Sequence, residues 1–383
     1  MYIAEYYIVL TLSKIPEELK EVILVGFGDV IDRISCTPVG SSPIGRKGRN
    51  GPFKNRYAWI NVYDDTRKRF GRPLTLLAAE KIKENVGEGD YVFILTNSGE
   101  MDGPPGAAAL ARALIIGLKA VPVILTSYEK NTNSEKCLPQ TCIGAEIIPV
   151  TNPNQLYEGN QSPNTVLILN WPAKSVAGAI EESKKILDEF KPKAVITVEA
   201  VSHNKKGVRH GSYGDTRKTS GNPEEEDVRW NQLLDVANER KILTIATGDN
   251  GNEAGFGTIE DILKKHHKFC ADCGCPCGGG IVSASKADIV IPGQSSNWAA
   301  YGIEACLAKI LDKLEVMHDE DTEKRILLNC SNAGIPDGST ARVTPTTDGS
   351  SHKSGIYTVG QLRETIKMSS MIVVREPRPR LGK

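Results

Sequence analysis

The chain has 383 residues, 40% of them apolar and 25% charged, a balance that excludes a disordered or fibrous protein. Lys plus Arg and Asp plus Glu each number 47, so no net field gathers nucleic acid or an acidic membrane. No apolar run is long enough to span a bilayer, and the start lacks a basic segment followed by a small-residue cleavage site. The expectation is a soluble, cytoplasmic protein with no nucleic-acid or membrane partner.

In chain order, the first seventy residues open with a possible strand and helix. They lead to Val39–Arg56, a loop rich in Gly, Ser and Pro that carries Arg46, Lys47, Arg49, Lys54 and Arg56. Such a loop could hold an anionic ligand, or serve as a solvated segment or the arm of a homo-oligomer; the neutral overall charge favours the second reading. Residues 1–70 are taken as an N-terminal extension and 71–383 as one α/β domain.

From residue 73 the pattern is regular. LTLLAAEKIKENV predicts a helix and Tyr91–Thr96 a short apolar strand, then Ala107–Leu118 a helix and Val121–Thr126 a strand. Thr165–Asn170, Ala194–Glu199, Ile242–Thr247 and Ala287–Pro292 are further apolar runs, with helices predicted over Val176–Glu189 and Glu224–Arg240. Runs that are continuous rather than alternating mean that both sheet faces are covered. Alternation of strands with helices means right-handed crossovers and a mainly parallel sheet in a three-layer α/β/α fold.

Four Gly- and acid-rich stretches each begin where an apolar run ends: Asn97–Ala107, Ala200–Lys218, Gly248–Gly257 and Gly293–Trp298. In an open parallel sheet the carboxyl ends of the strands face one crevice, so these loops are expected to meet there. In the first of them Glu100 and Asp102 sit at the mouth of a helix whose first turn contains Pro105, and the N–H groups around Gly103 and Gly106 suit a carboxylate. The alternative is that Asp102 only caps the helix. The stretch GDNGNEAGFG puts Asp249, Asn252 and Glu253 on one short loop; it matches neither a dinucleotide fingerprint nor an ATP-binding loop. Glu199 ends a strand and opens a long polar loop with His203, Arg209, His210, Tyr213, Asp215, Arg217 and Lys218.

The nine cysteines are an odd number in a chain too large to need a disulfide framework. Cys36, Cys137, Cys142, Cys306 and Cys330 are scattered and are expected to be buried. Cys270, Cys273, Cys275 and Cys277 are clustered, and could hold Zn2+ or an iron–sulfur cluster or form a redox-active patch.

EMDGPPGA (100–107), GDNGNEAGFG (248–257) and Ser296-Asn297-Trp298 together resemble the C-terminal domain of D-glutamate cyclases. Gly211-Ser212-Tyr213 with Arg217-Lys218, and Asp337-Gly338 with Asp348-Gly349, extend the resemblance to about residues 70–370. Ala200 stands where the family places an Arg, and Asn97-Ser98 and Ala299 also depart from its pattern; Lys205, Lys206 or Arg209 is a possible replacement for the Arg.

The resemblance implies a hydro-lyase that closes D-glutamate to 5-oxo-D-proline with loss of water, helped by a divalent cation such as Mn2+. It implies Glu199 and Glu253 as acid and base, with Asp102 and Asp249 on the ammonium or the ion. Glu100, Gly103, Gly106, Tyr213, Arg217, Asn252, Ser296 and Asn297 would bind the substrate. The alternatives are a cyclase of another amino acid, and a non-enzymatic protein that binds an amino acid or nucleotide in the same crevice and senses redox state through its cysteines.

Overall fold

The computed structural model describes residues 7–10, 17–36, 53–156, 164–216, 220–370 and 372–375. Arg46, Lys47, Arg49, Arg217 and Lys218 lie outside the described residues, as do the side chains of Lys54 and Arg56.

In chain order the elements are β1 (Tyr7–Leu10), α1 (Glu17–Cys36), α2 (Phe53–Phe70), α3 (Leu74–Asn85), β2 (Tyr91–Thr96), α4 (Pro104–Leu118), β3 (Val121–Thr126), α5 (Asn133–Gly144) and β4 (Ile148–Val150). There follow β5 (Thr165–Asn170), α6 (Val176–Phe190), β6 (Ala194–Val198), α7 (Trp230–Glu239), β7 (Leu243–Gly248), α8 (Glu260–His266) and α9 (Lys268–Ala271). The chain continues through β8 (Ile289–Pro292), α10 (Ser296–Leu311), α11 (Glu320–Asn332), α12 (His352–Ser369) and β9 (Ile372–Arg375).

Seven strands form one parallel sheet in the order β4-β5-β3-β2-β6-β7-β8, with the in-register pairs Ile94–Ile124 and Ile94–Ile196 at its centre. Side chains alternate between its faces. Val92, Ile94, Ile196 and Ile245 join the core formed with α1, α3, α4, α10 and α12, whereas Phe93, Leu95, Val195 and Ala246 join the core formed with α6, α7 and α8. The fold is therefore the three-layer α/β/α arrangement that the continuous apolar runs required. β1 and β9 pair antiparallel as a separate two-stranded ribbon.

Two boundaries move for identifiable reasons. α7 begins at Trp230 rather than Glu224 because Asp227 pairs through its backbone with Lys174 in both directions, holding that stretch extended. α2 begins inside the segment read as a basic loop; it buries Trp59, Val62 and Tyr63 beside the edge strand β8. Three such side chains, each contributing about 1.5–3 kcal/mol on burial, make this helix part of the core.

α1 is fastened as well. The buried Asp32 carboxylate accepts from Leu74 N (2.6 Å), Thr75 N (3.1 Å) and Tyr63 Oη (2.9 Å), tying α1 and α2 to the start of α3. Asp32 thus supplies the cap that Pro73, at the N-cap position of α3, does not provide. Cys36, Cys137, Cys142, Cys306 and Cys330 are all buried thiols, as expected.

The sheet order places the site. From β2 the chain moves outward through β3, and returns to the other side of β2 at β6. The loops after β2 and β6 therefore part at the topological switch point, where an open α/β sheet forms its crevice.

Candidate functional site

Glu199 is the first residue past β6 and has φ +54°, a left-handed conformation that an L side chain with a Cβ adopts only at a cost. Asn97, at the end of the neighbouring β2, holds the turn by donating from Nδ2 to Glu199 O (3.0 Å). The side chain is buried, and its Oε2 accepts from Ser296 Oγ at 2.5 Å. Burial, reinforced by the charges of Glu253, Asp102 and Glu100, pushes the Glu199 carboxyl well above the usual carboxylate range.

Asp102 and Asn297 form a reciprocal clamp between two helix starts. Asp102 Oδ2 accepts from Ser296 N (3.0 Å) and Oδ1 from Asn297 N (3.0 Å), satisfying the first turn of α10. Asn297 Oδ1 in return accepts from Gly103 N (2.9 Å) and Gly106 N (2.8 Å), at the first turn of α4. A Cβ on Gly106 would stand 2.7 Å from Asn297 Cα, so only glycine lets the two helices approach this closely.

This arrangement corrects the expectation that the α4 N-terminus receives a substrate carboxylate through Gly103 and Gly106. Pro104 and Pro105 have no N–H, Gly103 and Gly106 give theirs to Asn297, and Ala107 N donates to Gly103 O. The helix mouth is already satisfied. Asn297→Ala would leave the buried Gly106 N–H without its acceptor, at about 1–3 kcal/mol, while Gly103 N would keep only Asp102 Oδ1 (3.1 Å). The expected result is a loss of about 1–3 kcal/mol of stability in denaturant titration; Asn297→Ala as stable as the wild type would contradict the clamp.

The Gly-rich loop after β7 is organised by its own acid. Glu253, fully buried, accepts from Asp249 N (2.9 Å), Asn250 N (3.0 Å) and Gly251 N (2.7 Å). Gly255 N goes to Ser285 Oγ and Ala254 N to Ala200 O, so these amides are likewise already satisfied. Burial raises the Glu253 carboxyl, and the N–H bonds of its own loop oppose that rise. Burial also lifts Asp102 well above its ordinary value, aided by Asp348 and opposed by the N–H groups of Asn297 and Ser296.

Asp249 joins two groups of carboxylates. Oxygens of Asp102, Asp249 and Asp348 lie within 4.8 Å of one another, as do those of Glu199, Asp249 and Glu253. Asp348, which no local pattern assigns to the site, arrives on the loop before α12. Buried Asp337 shapes that loop by accepting from Ser339 N, Thr340 N and Gly349 N. The loop docks on the stretch after β2 through Met101 N to Pro336 O (3.1 Å), and Gly338 packs against Glu100.

Asn252 is buried and gives Nδ2 to His210 O (2.9 Å), while its Oδ1 has no hydrogen-bond partner among the described residues. Tyr213 is partly exposed on a turn beside Phe269. Arg209 and His203 both engage Asp227, and Lys205 pairs with Glu260. Ala200 is buried in the apolar core with Trp230 and Leu234.

The cysteine cluster is not the set expected. His210 Nε2 and the sulfurs of Cys273, Cys275 and Cys277 lie within 4.8 Å of one another and could hold a metal ion. Cys270 does not join them: its thiol donates to Asn250 O, and burial beside Glu253 pushes it well above its ordinary pKa. No spacing rule could have found His210, which lies in a loop far upstream.

A doubly wound sheet with converging acids at its switch point defines an α/β protein with a buried, acidic crevice. Residues 80–363, well over half the chain, match the sequence profile of the family described as D-glutamate cyclase-like, C-terminal, and the chain belongs to that family. No curated protein matches it. Among the described residues, no helix is long and apolar enough to cross a membrane.

Proposed function

We propose that the protein is a hydro-lyase that closes D-glutamate to 5-oxo-D-proline, with Glu199 at the centre of the reaction. The observation that carries this reading is Glu199 itself. It is a buried carboxyl with its pKa pushed up, on a strained strand end, beside further carboxylates. Perturbed acids in a crevice of this kind mark acid–base chemistry.

Cyclisation joins the substrate nitrogen to its own γ-carboxyl carbon, so holding the chain bent supplies much of the rate. Two protons leave the nitrogen, one γ-carboxyl C–O bond breaks, and the departing oxygen takes both protons to become water. Glu199, protonated, donates to that oxygen. Asp249 accepts from the nitrogen and passes the proton to Glu199 across the shared carboxylate cluster, and the second proton follows the same route to the departing oxygen. Glu253 keeps the Asp249 loop in shape, and Ser296 orients Glu199.

The oxygen donors of Asp102, Asp249 and Asp348 are hard ligands and fit a divalent ion such as Mn2+. Bound there, such an ion would polarise the carboxyl group. Arg at the family position is absent and Ala200 lies in the core, which favours a second reading in which the second carboxylate differs and another amino acid is cyclised.

Incubation of the full chain with D-glutamate and Mn2+ should consume D-glutamate and release 5-oxo-D-proline in equal amount, and chelation should slow it. Unchanged D-glutamate under both conditions would contradict the reading.

A further inference from the structure

We infer that His210, Cys273, Cys275 and Cys277 form a closed structural zinc site that staples the loop after β6 to the loop before β8. The distances support a single ion. Cys273 Sγ lies 3.4 Å from Cys275 Sγ and 3.5 Å from Cys277 Sγ, and His210 Nε2 lies 3.4 Å and 3.7 Å from Cys275 Sγ and Cys277 Sγ. Zinc bonds sulfur at about 2.3 Å and imidazole nitrogen at about 2.0–2.1 Å, so tetrahedral edges are about 3.5–3.8 Å. Four of the six edges thus lie close to those of one such tetrahedron, and the other two pairs stand within 4.8 Å. An iron–sulfur cluster places its ligands around several metal atoms and needs them farther apart.

Four protein ligands fill the coordination sphere, which is the mark of a structural rather than a catalytic zinc. The surroundings support thiolates. Cys277 N–H points to Cys275 Sγ (3.4 Å), Gly279 N–H to Cys277 Sγ (3.4 Å), and Asn204 Nδ2 to Cys277 Sγ (3.5 Å). The two loops are built to meet: a Cβ on Gly214, just past His210, would stand 2.2 Å from Cys273 O.

The staple reaches the acidic site. His210 O accepts from Asn252 Nδ2, and Asn252 adjoins Glu253 in the loop that carries Asp249. The ion therefore fixes the loop that starts at Glu199 relative to the loop that carries Asp249. The two metal positions differ in kind, thiolate and imidazole here, carboxylates there. Metal content is read without any assay of turnover, so this inference stands or falls apart from the cyclase reading.

The test uses the full chain purified under reducing conditions without added metal. Elemental analysis should find one zinc per chain, and exchange with Co2+ should give the ligand-field bands of a tetrahedral thiolate site. Cys275→Ser and His210→Ala should each weaken zinc binding by at least about 100-fold, and Asn204→Ala by about 10-fold. Cys270→Ser should keep one equivalent. Should His210→Ala fail to fold, His210→Cys is expected to retain one ion with a shifted cobalt spectrum. Iron with inorganic sulfide, a disulfide among these cysteines in the folded reduced protein, metal lost from Cys270→Ser, or no cobalt bands would each overturn the assignment.

Discussion

Glu199→Gln is expected to lower turnover of D-glutamate by about 100- to 10,000-fold, the usual contribution of a positioned general acid. Gln keeps an acceptor for Ser296 Oγ and fills the same volume, but it has no proton to give. Stability should not fall. A carboxyl whose pKa is raised on folding resists ionisation in the folded state, so above its unfolded pKa the wild-type group costs stability. The neutral amide removes that cost, and Tm at neutral pH should be equal or higher. Turnover measured beside calorimetry separates the cases: full activity removes Glu199 from the chemistry, and lost activity with a lowered Tm makes it a structural residue.

His318→Ala is expected to destabilise the fold by about 3–5 kcal/mol, because it strands two buried carboxylates. His318 lies between α10 and α11. Its Nδ1 is 2.7 Å from Glu304 Oε2 and its Nε2 3.3 Å from Glu323 Oε2, and Tyr301 Oη donates to the same Glu323 oxygen. All four side chains are buried. Burial opposes the imidazolium, yet Glu304 and Glu323 outweigh it and raise the His318 pKa to about 9. A histidine raised on folding stabilises below its unfolded pKa of about 6.5, and loses that contribution as pH rises through its folded value. The wild-type Tm should therefore fall between neutral pH and pH above about 9. A flat profile, or a variant as stable as the wild type, would contradict the network.

The parallel sheet was legible because Tyr91–Thr96 and Val121–Thr126 are uninterrupted apolar runs, and such runs belong to strands covered on both faces. The acids at strand ends were legible for a related reason, since Gly-rich punctuation after a buried strand marks the crevice. Pairings between distant loops were not. Asp102 looked like a cap or a ligand of its own helix; it caps α10 instead, and Asn297 returns the favour to α4. That reciprocity depends on how closely two helices pack, which no local pattern encodes. Glu253 reads as a catalytic acid by type and position, yet three amides of its own loop bind it. His210 and Cys275 are brought together by loop docking alone. α2 carried a signal in the helical spacing of Trp59, Val62, Tyr63 and Thr66, masked by the Gly- and Pro-rich stretch before it.

Cyclisation in the acidic crevice has a direct readout in the product itself. Proton NMR of the full chain with Mn2+, given D-glutamate and L-glutamate in separate samples, tests it most directly. 5-Oxoproline signals are expected from the D isomer, and are expected to be reduced by about 100-fold or more when Glu199→Gln replaces the wild type. No product from either isomer, with glutamate fully recovered after removal of Mn2+, would contradict cyclisation in this crevice.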